Sequence, residues 1–147
     1  MPNHDNMQIT YSEILNSFKS QLSILGKRLR EKDSLFPEVT ISSQEEDAMK
    51  VHIDEAFSRF SSLSGIEGTF SSNGITYDSS EISKPLMGYL VSSLLYEFFS
   101  VVYPSLTNKY QADTERKLNT LLSSLEKEGV SNKEFDSVCG ETSSYTR

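Results

Sequence analysis

The chain has 147 residues, of which 36% are hydrophobic and 24% are charged, and its formal net charge at pH 7 is −7. A chain of this length suits one domain with one core. The acidic balance opposes binding to a phosphate backbone, which attracts cationic surfaces through counterion release. We therefore expect no direct nucleic-acid recognition.

The sequence contains one cysteine, Cys139. A single thiol excludes an intramolecular disulfide and a zinc site built from thiolates. The first ten residues, MPNHDNMQIT, lack the basic and apolar segments of a secretory signal. We therefore expect synthesis in the cytosol.

The first predicted helix covers about residues 11–32. Thr10-Tyr11-Ser12-Glu13 has the S/T-x-x-E form of a capping box, in which the threonine oxygen and the glutamate each satisfy a free backbone amide. An apolar stripe with helical spacing follows: Ile14, Leu15, Phe18, Leu22, Leu25 and Leu29. Pro37 then predicts a loop over 33–41, because proline lacks an amide donor and disfavours helical dihedrals in the preceding residue.

A second capping-box pattern, Ser43-Gln44-Glu45-Glu46, predicts a helix over about 44–64. Its apolar stripe consists of Met49, Ile53, Ala56, Phe57, Phe60 and Leu63. Gly65 is suited to end this helix in the left-handed conformation.

Residues 66–77 break the helical period. Their β-prone residues flank the dipeptide Asn73-Gly74, which is typical of tight turns. We predict a short hairpin, whose exposed edges invite pairing with another chain.

The third predicted helix, about 84–103, is the most apolar segment. Ser83 is placed to cap it, and Pro85 falls in the first turn, where a missing amide does no harm. Apolar side chains cover about half of its circumference, which is typical of the central helix of a bundle. The apolar stretch is interrupted by polar residues and is shorter than the roughly 20 residues that cross a bilayer, so we interpret it as a core helix and expect no membrane association.

Pro104 is expected to end the third helix, and Ser105 is placed to cap a fourth, about 106–128. The stripe of the fourth helix consists of Leu106, Tyr110, Leu118, Leu121, Leu122 and Leu125. Residues 129–147 have the composition of a polar C-terminal tail. The predicted fold is a mainly α single domain over 1–147, a four-helix bundle-like arrangement with a short β-hairpin between helices 2 and 3.

No pattern in the sequence predicts a catalytic, metal or cofactor site. His52 precedes Asp54 and Glu55, but neighbouring helix positions diverge and cannot converge on one metal, so we interpret His52 as a surface or boundary residue. The other histidine, His4, lies near the terminus. The glycines form no phosphate-binding motif, so we expect neither a cofactor nor a small-molecule substrate.

Two groups of charged residues have an explanation in the helix dipole. They are the acids Glu45, Glu46 and Asp47 in the first turn of the second helix, and the cations Lys27, Arg28, Arg30 and Lys32 in the last turns of the first. We interpret the cations as a solvated helix end and not as a nucleic-acid surface, because no aromatic residues alternate with them.

Five side chains are candidates for protein contacts: Phe70, Ile75, Tyr77, Tyr89 and Tyr96. The first three lie in the predicted hairpin. The two tyrosines of the third helix are seven residues apart, on its less apolar side, and tyrosine is enriched in protein interfaces.

The order of these parts resembles the small helical neck and head-tail connector (tail-completion) proteins of tailed bacteriophages, especially those of Bacteroidales phages and prophages. The resemblance covers about residues 9–128 and rests on three segments: EEDAMKVHIDEAFSRFSSLSG, GTFSSNGITYD and PLMGYLVSSLLYEFFSVVYPSLTNKYQADTERKLNTLLSSLEKE. It implies a non-enzymatic virion protein that forms part of a neck, connector or tail ring, with copies of itself and other virion proteins as partners.

A cytosolic helical adaptor or regulatory module that binds one protein partner is the main alternative. An enzyme whose residues come together from distant parts of the chain is a third possibility. The sequence carries no signature that favours either over the resemblance.

Overall fold

The structure, a computed structural model, describes residues 7–33, 40–78 and 82–127. The described chain is mainly α-helical, as predicted. In chain order its elements are β1 (Met7–Thr10), α1 (Tyr11–Lys32), α2 (Ser43–Ser64), β2 (Gly68–Phe70), β3 (Gly74–Tyr77), α3 (Ser83–Val102), a short 3-10 turn (Pro104–Leu106) and α4 (Thr107–Lys127). His4, Pro37, Cys139 and the predicted tail over 129–147 lie outside the described residues.

Helix α3 is at the centre of the core, and α1, α2 and α4 each pack against it. Its side chains that are fully shielded from solvent include Leu86, Leu90, Leu94 and Phe99. Phe98 meets Phe18 of α1 edge to face, with ring centroids 6.1 Å apart. Phe99 stacks on Tyr110 of α4 at 5.1 Å. Since burying one such side chain contributes about 1.5–3 kcal/mol, α3 supplies a large part of the folding energy.

Among the described helices, α3 alone is long and apolar enough to cross a membrane by length and composition. Half of its most apolar window is buried inside the domain, and the core helix of a soluble protein meets the same criteria. In this fold α3 is a core helix, in agreement with the prediction from its sequence.

The first capping box forms as predicted. Thr10 Oγ1 accepts the Glu13 amide at 3.1 Å, and Glu13 Oε1 accepts the Thr10 amide at 2.9 Å. The second prediction was displaced by one residue, because Ser42 and not Ser43 is the cap of α2. Ser42 Oγ accepts the Glu45 amide at 3.2 Å, and the Glu45 carboxylate accepts the Ser42 amide in return. Ser43 is already the first helical residue.

The other helix boundaries lie close to the predicted ones, with two corrections at the caps. Gly65 ends α2 in the left-handed conformation at φ 82°, as predicted. Ser83 does not cap α3 but begins it, and its Oγ accepts the hydroxyl of Tyr77 at 3.2 Å. Ser105 lies inside the 3-10 turn that joins α3 to α4, so α4 begins at Thr107.

The hairpin forms, but it belongs to a three-stranded antiparallel sheet of order β1-β3-β2. Strand β1, which the sequence analysis did not predict, pairs Ile9 with Ile75 and Met7 with Tyr77. Strand β3 therefore has a partner on both sides, and the prediction that it has an exposed edge was wrong. Among the described residues, β1 and β2 are the edge strands.

The turn between β2 and β3 also differs from the predicted Asn73-Gly74 turn. The loop comprises residues 71–73, and Ser71 Oγ accepts the amides of Asn73 and Gly74 at 3.2 and 3.3 Å. Gly74 is the first residue of β3 and pairs with Thr10. A Cβ at position 74 would overlap the backbone of Ile9 and Thr10, so glycine here permits the close approach of β1.

A cap comparison tests the start of α2. Ser42→Ala is expected to lower the free energy of unfolding by about 1 kcal/mol, because it removes the acceptor for the Glu45 amide. Ser43→Ala, at an exposed first-turn position, is expected to change it by less than about 0.5 kcal/mol. Urea denaturation followed by circular dichroism measures both, and equal effects would contradict the assignment of Ser42 as the cap.

A glycine comparison tests the packing of β1. Gly74→Ala is expected to cost about 1–3 kcal/mol, since the added methyl group must displace strand backbone. Gly88 in α3 is the matched control, because a Cβ there meets nothing within 4 Å. Gly88→Ala should raise stability by up to about 1 kcal/mol through its better helix propensity. Denaturant midpoints measure both effects. A Gly74→Ala variant with wild-type stability would refute the close approach of β1 to position 74.

Candidate functional site

A groove of about 310 Å³ opens between α2, α3 and α4. We call it the polar groove. The charged and aromatic side chains that line it include His52, Glu55, Arg59, Tyr96, Glu97 and Glu115. Spacings of three and four residues place the α2 members on one side of that helix. His52 lies near Glu97, and Ala56 near Tyr89, so α2 and α3 run antiparallel along the groove.

Arg59 and Glu115 link α2 to α4 at the polar groove. Arg59 donates two hydrogen bonds to the Glu115 carboxylate, at 2.5 and 3.0 Å. These bonds hold the pKa of Glu115 below its ordinary value of 4.5, against the opposing effect of burial. They also raise the pKa of the Arg59 guanidinium. The two side chains are 50% and 44% exposed, so solvent screens the pair and its contribution stays below about 1 kcal/mol.

His52 lies between two carboxylates. Its Nδ1 is 3.4 Å from Glu55 Oε1 on the same helix, and its Nε2 is 3.9 Å from Glu97 Oε1 on α3. Nδ1 is shielded from solvent, and within the described part of the chain it has no hydrogen-bond partner. In the sequence, the acidic residues next to His52 are Asp54 and Glu55, both on α2. Glu97 comes close to His52 only because α3 packs against α2, and no spacing between neighbouring residues in the sequence predicts this contact.

The described residues contain no group of three or more histidine, cysteine, aspartate or glutamate side chains that could hold a metal ion. The polar groove presents acidic and basic side chains side by side, which can form ion pairs and hydrogen bonds with charged groups of a partner.

Three of the five predicted contact residues are buried in this fold. Ile75 and Tyr77 face the core from the central strand β3. Tyr89 is buried on α3, where its hydroxyl donates to the Ala56 carbonyl at 2.9 Å and burial raises its pKa to about 12. These three positions pack inside the domain and are not open contact sites: Tyr77 lies against Phe57 of α2 with ring centroids 6.1 Å apart, and Ile75 is fully shielded from solvent. Phe70 is exposed on β2, and Tyr96 lines the polar groove.

A second groove of similar volume lies between α1, α3 and α4. We call it the basic groove. Its lining includes Arg28, Lys109, Lys117 and Asp113, with Ser92 of α3 also contributing. The ammonium of Lys109 lies 5.5 Å from the centre of the Tyr110 ring. Arg28, which the sequence analysis placed in a solvated helix end, is exposed but also borders this groove.

The Arg59–Glu115 pair gives a stability test with a defined sign. The pKa of Glu115 is lowered in the folded state, so the pair stabilises the fold above pH 4.5 and loses this effect as the pH falls through the lowered pKa. Glu115→Gln is therefore expected to cost up to about 1 kcal/mol at neutral pH and progressively less in acid, as the pH falls below 4.5 and through the lowered pKa. Urea denaturation at neutral and at acidic pH measures the difference.

Glu31→Gln is the control for this test, since Glu31 is exposed on α1 away from the groove. It should change stability by less than about 0.5 kcal/mol at either pH. A cost for Glu115→Gln that persists unchanged in acid would show that the pair does not act through the charge of the carboxylate.

Comparison with known proteins yields no match for this chain among protein-family models, curated proteins or solved structures. Its function is therefore inferred from the surface of the domain and from the order of its elements.

Proposed function

We propose that this protein is a non-enzymatic structural subunit of a tailed-phage particle. It forms part of a neck, connector or tail ring and acts through contacts with its own copies and with other virion proteins. The resemblance in element order supports the virion context. The surface of the folded domain supports action through contacts.

The observation that carries the proposal is the edge strand β2 with Phe70. The ring of Phe70 meets Phe57 of α2 edge to face at 6.0 Å, yet 45% of the residue is exposed. Gly68 lies so close to the Phe57 ring that a Cβ would overlap it, which fixes the strand against α2. A partly exposed aromatic ring held in place by the core loses little conformational freedom when a partner covers it.

Strand β2 also offers backbone groups for pairing. In the described chain it pairs with β3 on one side only. An open edge with an anchored aromatic side chain is suited to β-augmentation, in which a neighbouring chain adds a strand. Such a contact supplies main-chain hydrogen bonds and one aromatic anchor.

Exposed valines at the end of α3 provide a second contact surface. Val101 is 80% exposed and Val102 is 40% exposed, next to the turn that leads into α4. Singly exposed apolar residues are common on protein surfaces, but two adjacent ones at a helix corner favour a covered position in an assembly.

The experiment is the purification of particles from the phage or prophage that encodes the chain. Mass spectrometry should detect the protein in stoichiometric amount, and electron microscopy should place it in a ring. Absence from purified particles would refute the proposal and favour the adaptor alternative.

Phe70→Ser tests the edge contact in the same particles. We expect its incorporation to fall by about tenfold or more, since an interface aromatic anchor is typically worth 2 kcal/mol or more. Val51→Ser is the control, because Val51 is an exposed apolar residue of α2. It should be incorporated at the wild-type level. Equal incorporation of both variants would exclude β2 as a contact. The ring proposal would then be decided by whether the wild-type protein is found in a ring of the particle.

A further inference from the structure

The polar and basic grooves lie on opposite flanks of α4. Gln111 and Glu115 border the polar groove, whereas Lys109 and Lys117 border the basic groove. On a helical wheel these two sets fall on either side of the buried stripe that includes Leu118. One chain therefore carries two different open surfaces, separated by the width of a helix.

The two grooves have opposite charge. The polar groove has three carboxylates, from Glu55, Glu97 and Glu115, and one guanidinium, from Arg59, which already binds Glu115. Glu55 and Glu97 remain partly exposed, at 70% and 39% of the side chain. Their neighbour in the described structure is His52, which adds at most one positive charge. The groove therefore attracts cationic side chains.

The basic groove has the reverse balance. Arg28, Lys109 and Lys117 contribute three cations, and Asp113 contributes one carboxylate. That carboxylate accepts a hydrogen bond from Arg116 at 2.8 Å. Among the described residues, none of the three cations forms an ion pair. Their charges are available to a partner, although the chain as a whole carries a net charge of −7.

We infer that copies of this chain associate head to tail, with Arg28, Lys109 and Lys117 of one copy facing Glu55 and Glu97 of the next. The inference rests on the proposed function and deepens it by naming one contact between copies. A twofold dimer can pair opposite charges only when both grooves of each copy face one shared interface. Here the two grooves open on opposite flanks of α4, which favours a head-to-tail contact. Contacts of this heterologous type repeat, and they close into a ring when the rotation permits.

The side chains suit this arrangement. Lysine and arginine carry their charges on long stems, so they can extend from the basic groove of one copy into the polar groove of another. Tyr96 lines the polar groove and offers an aromatic face on which a cation gains further stabilisation. Opposite charges also steer the approach of copies and exclude the wrong orientation.

A charge-swap experiment on the full chain tests the contact. One variant reverses the basic groove with Lys109→Glu and Lys117→Glu, and the other reverses the polar groove with Glu55→Lys and Glu97→Lys. Sedimentation velocity at low salt should show self-association of the wild type, with dissociation constants raised about tenfold or more in each variant. The chain that carries all four substitutions should associate again, because both surfaces are inverted. A mixture of the two reversed variants should also associate.

Controls separate this effect from a loss of folding or of general charge. Glu31→Lys and Lys84→Glu reverse exposed charges outside both grooves and should leave association unchanged. Circular dichroism should show the wild-type helical signal for every variant. Rising salt should weaken the wild-type contact, as expected for exposed ion pairs.

Several outcomes would overturn the contact. These are a monomeric wild type, reversed variants that still associate, and a four-substitution chain that remains monomeric. Binding of duplex DNA that is lost with Lys109→Glu and Lys117→Glu, while sedimentation is unaffected, would assign the basic groove to phosphate instead.

The particle experiment and the charge-swap experiment test separate proposals, so either proposal can be refuted without the other. If the chain is found in particles but its four-substitution variant stays monomeric, the structural role is supported and the head-to-tail contact is refuted. If the charge swap restores association but the chain is absent from particles, the head-to-tail contact is supported and the virion role is refuted.

Discussion

The rest of the domain is arranged around the need to bury α3 on several sides. Its apolar side chains require α1, α2 and α4 to lie against it. Phe18 of α1 packs on Phe98 of α3, and Phe57 of α2 packs on Phe70 and Tyr77 of the sheet. The spaces on the two flanks of α4 remain open. There the surface of α3 turns polar, with Ser92 in one groove and Ser93 in the other.

The helices were predictable because their signals are local. Capping boxes, prolines and Gly65 act within a few residues of where they stand, so most helix ends agree with the structure to within one or two residues. Strand β1 was missed because four residues show no periodicity, and its existence depends on β3, far away in sequence. Tyr89 was misplaced for a related reason, since a helical wheel does not show which neighbouring helix covers a face.

The candidate site shows the same division between local and distant information. The sequence identified His52 and the cations of α1, but it offered no way to pair His52 with Glu97 or Arg28 with Lys109, which lie on different helices. The net charge of −7 also concealed the segregation of charge. A chain can be acidic overall and still present a basic surface, because the fold decides which charges become neighbours.

Thr10 has a consequence beyond its role as a cap. It is both the last residue of β1 and the residue that caps α1, and the next amide, that of Tyr11, donates to the Asn73 carbonyl at 2.9 Å. Strand and helix therefore meet without a compliant segment between them. Tension applied to the chain ahead of Met7 would load the β1–β3 hydrogen bonds along the strand before it reached α1. Peeling β1 away would also uncap the helix, so the junction transmits force into the core and does not absorb it.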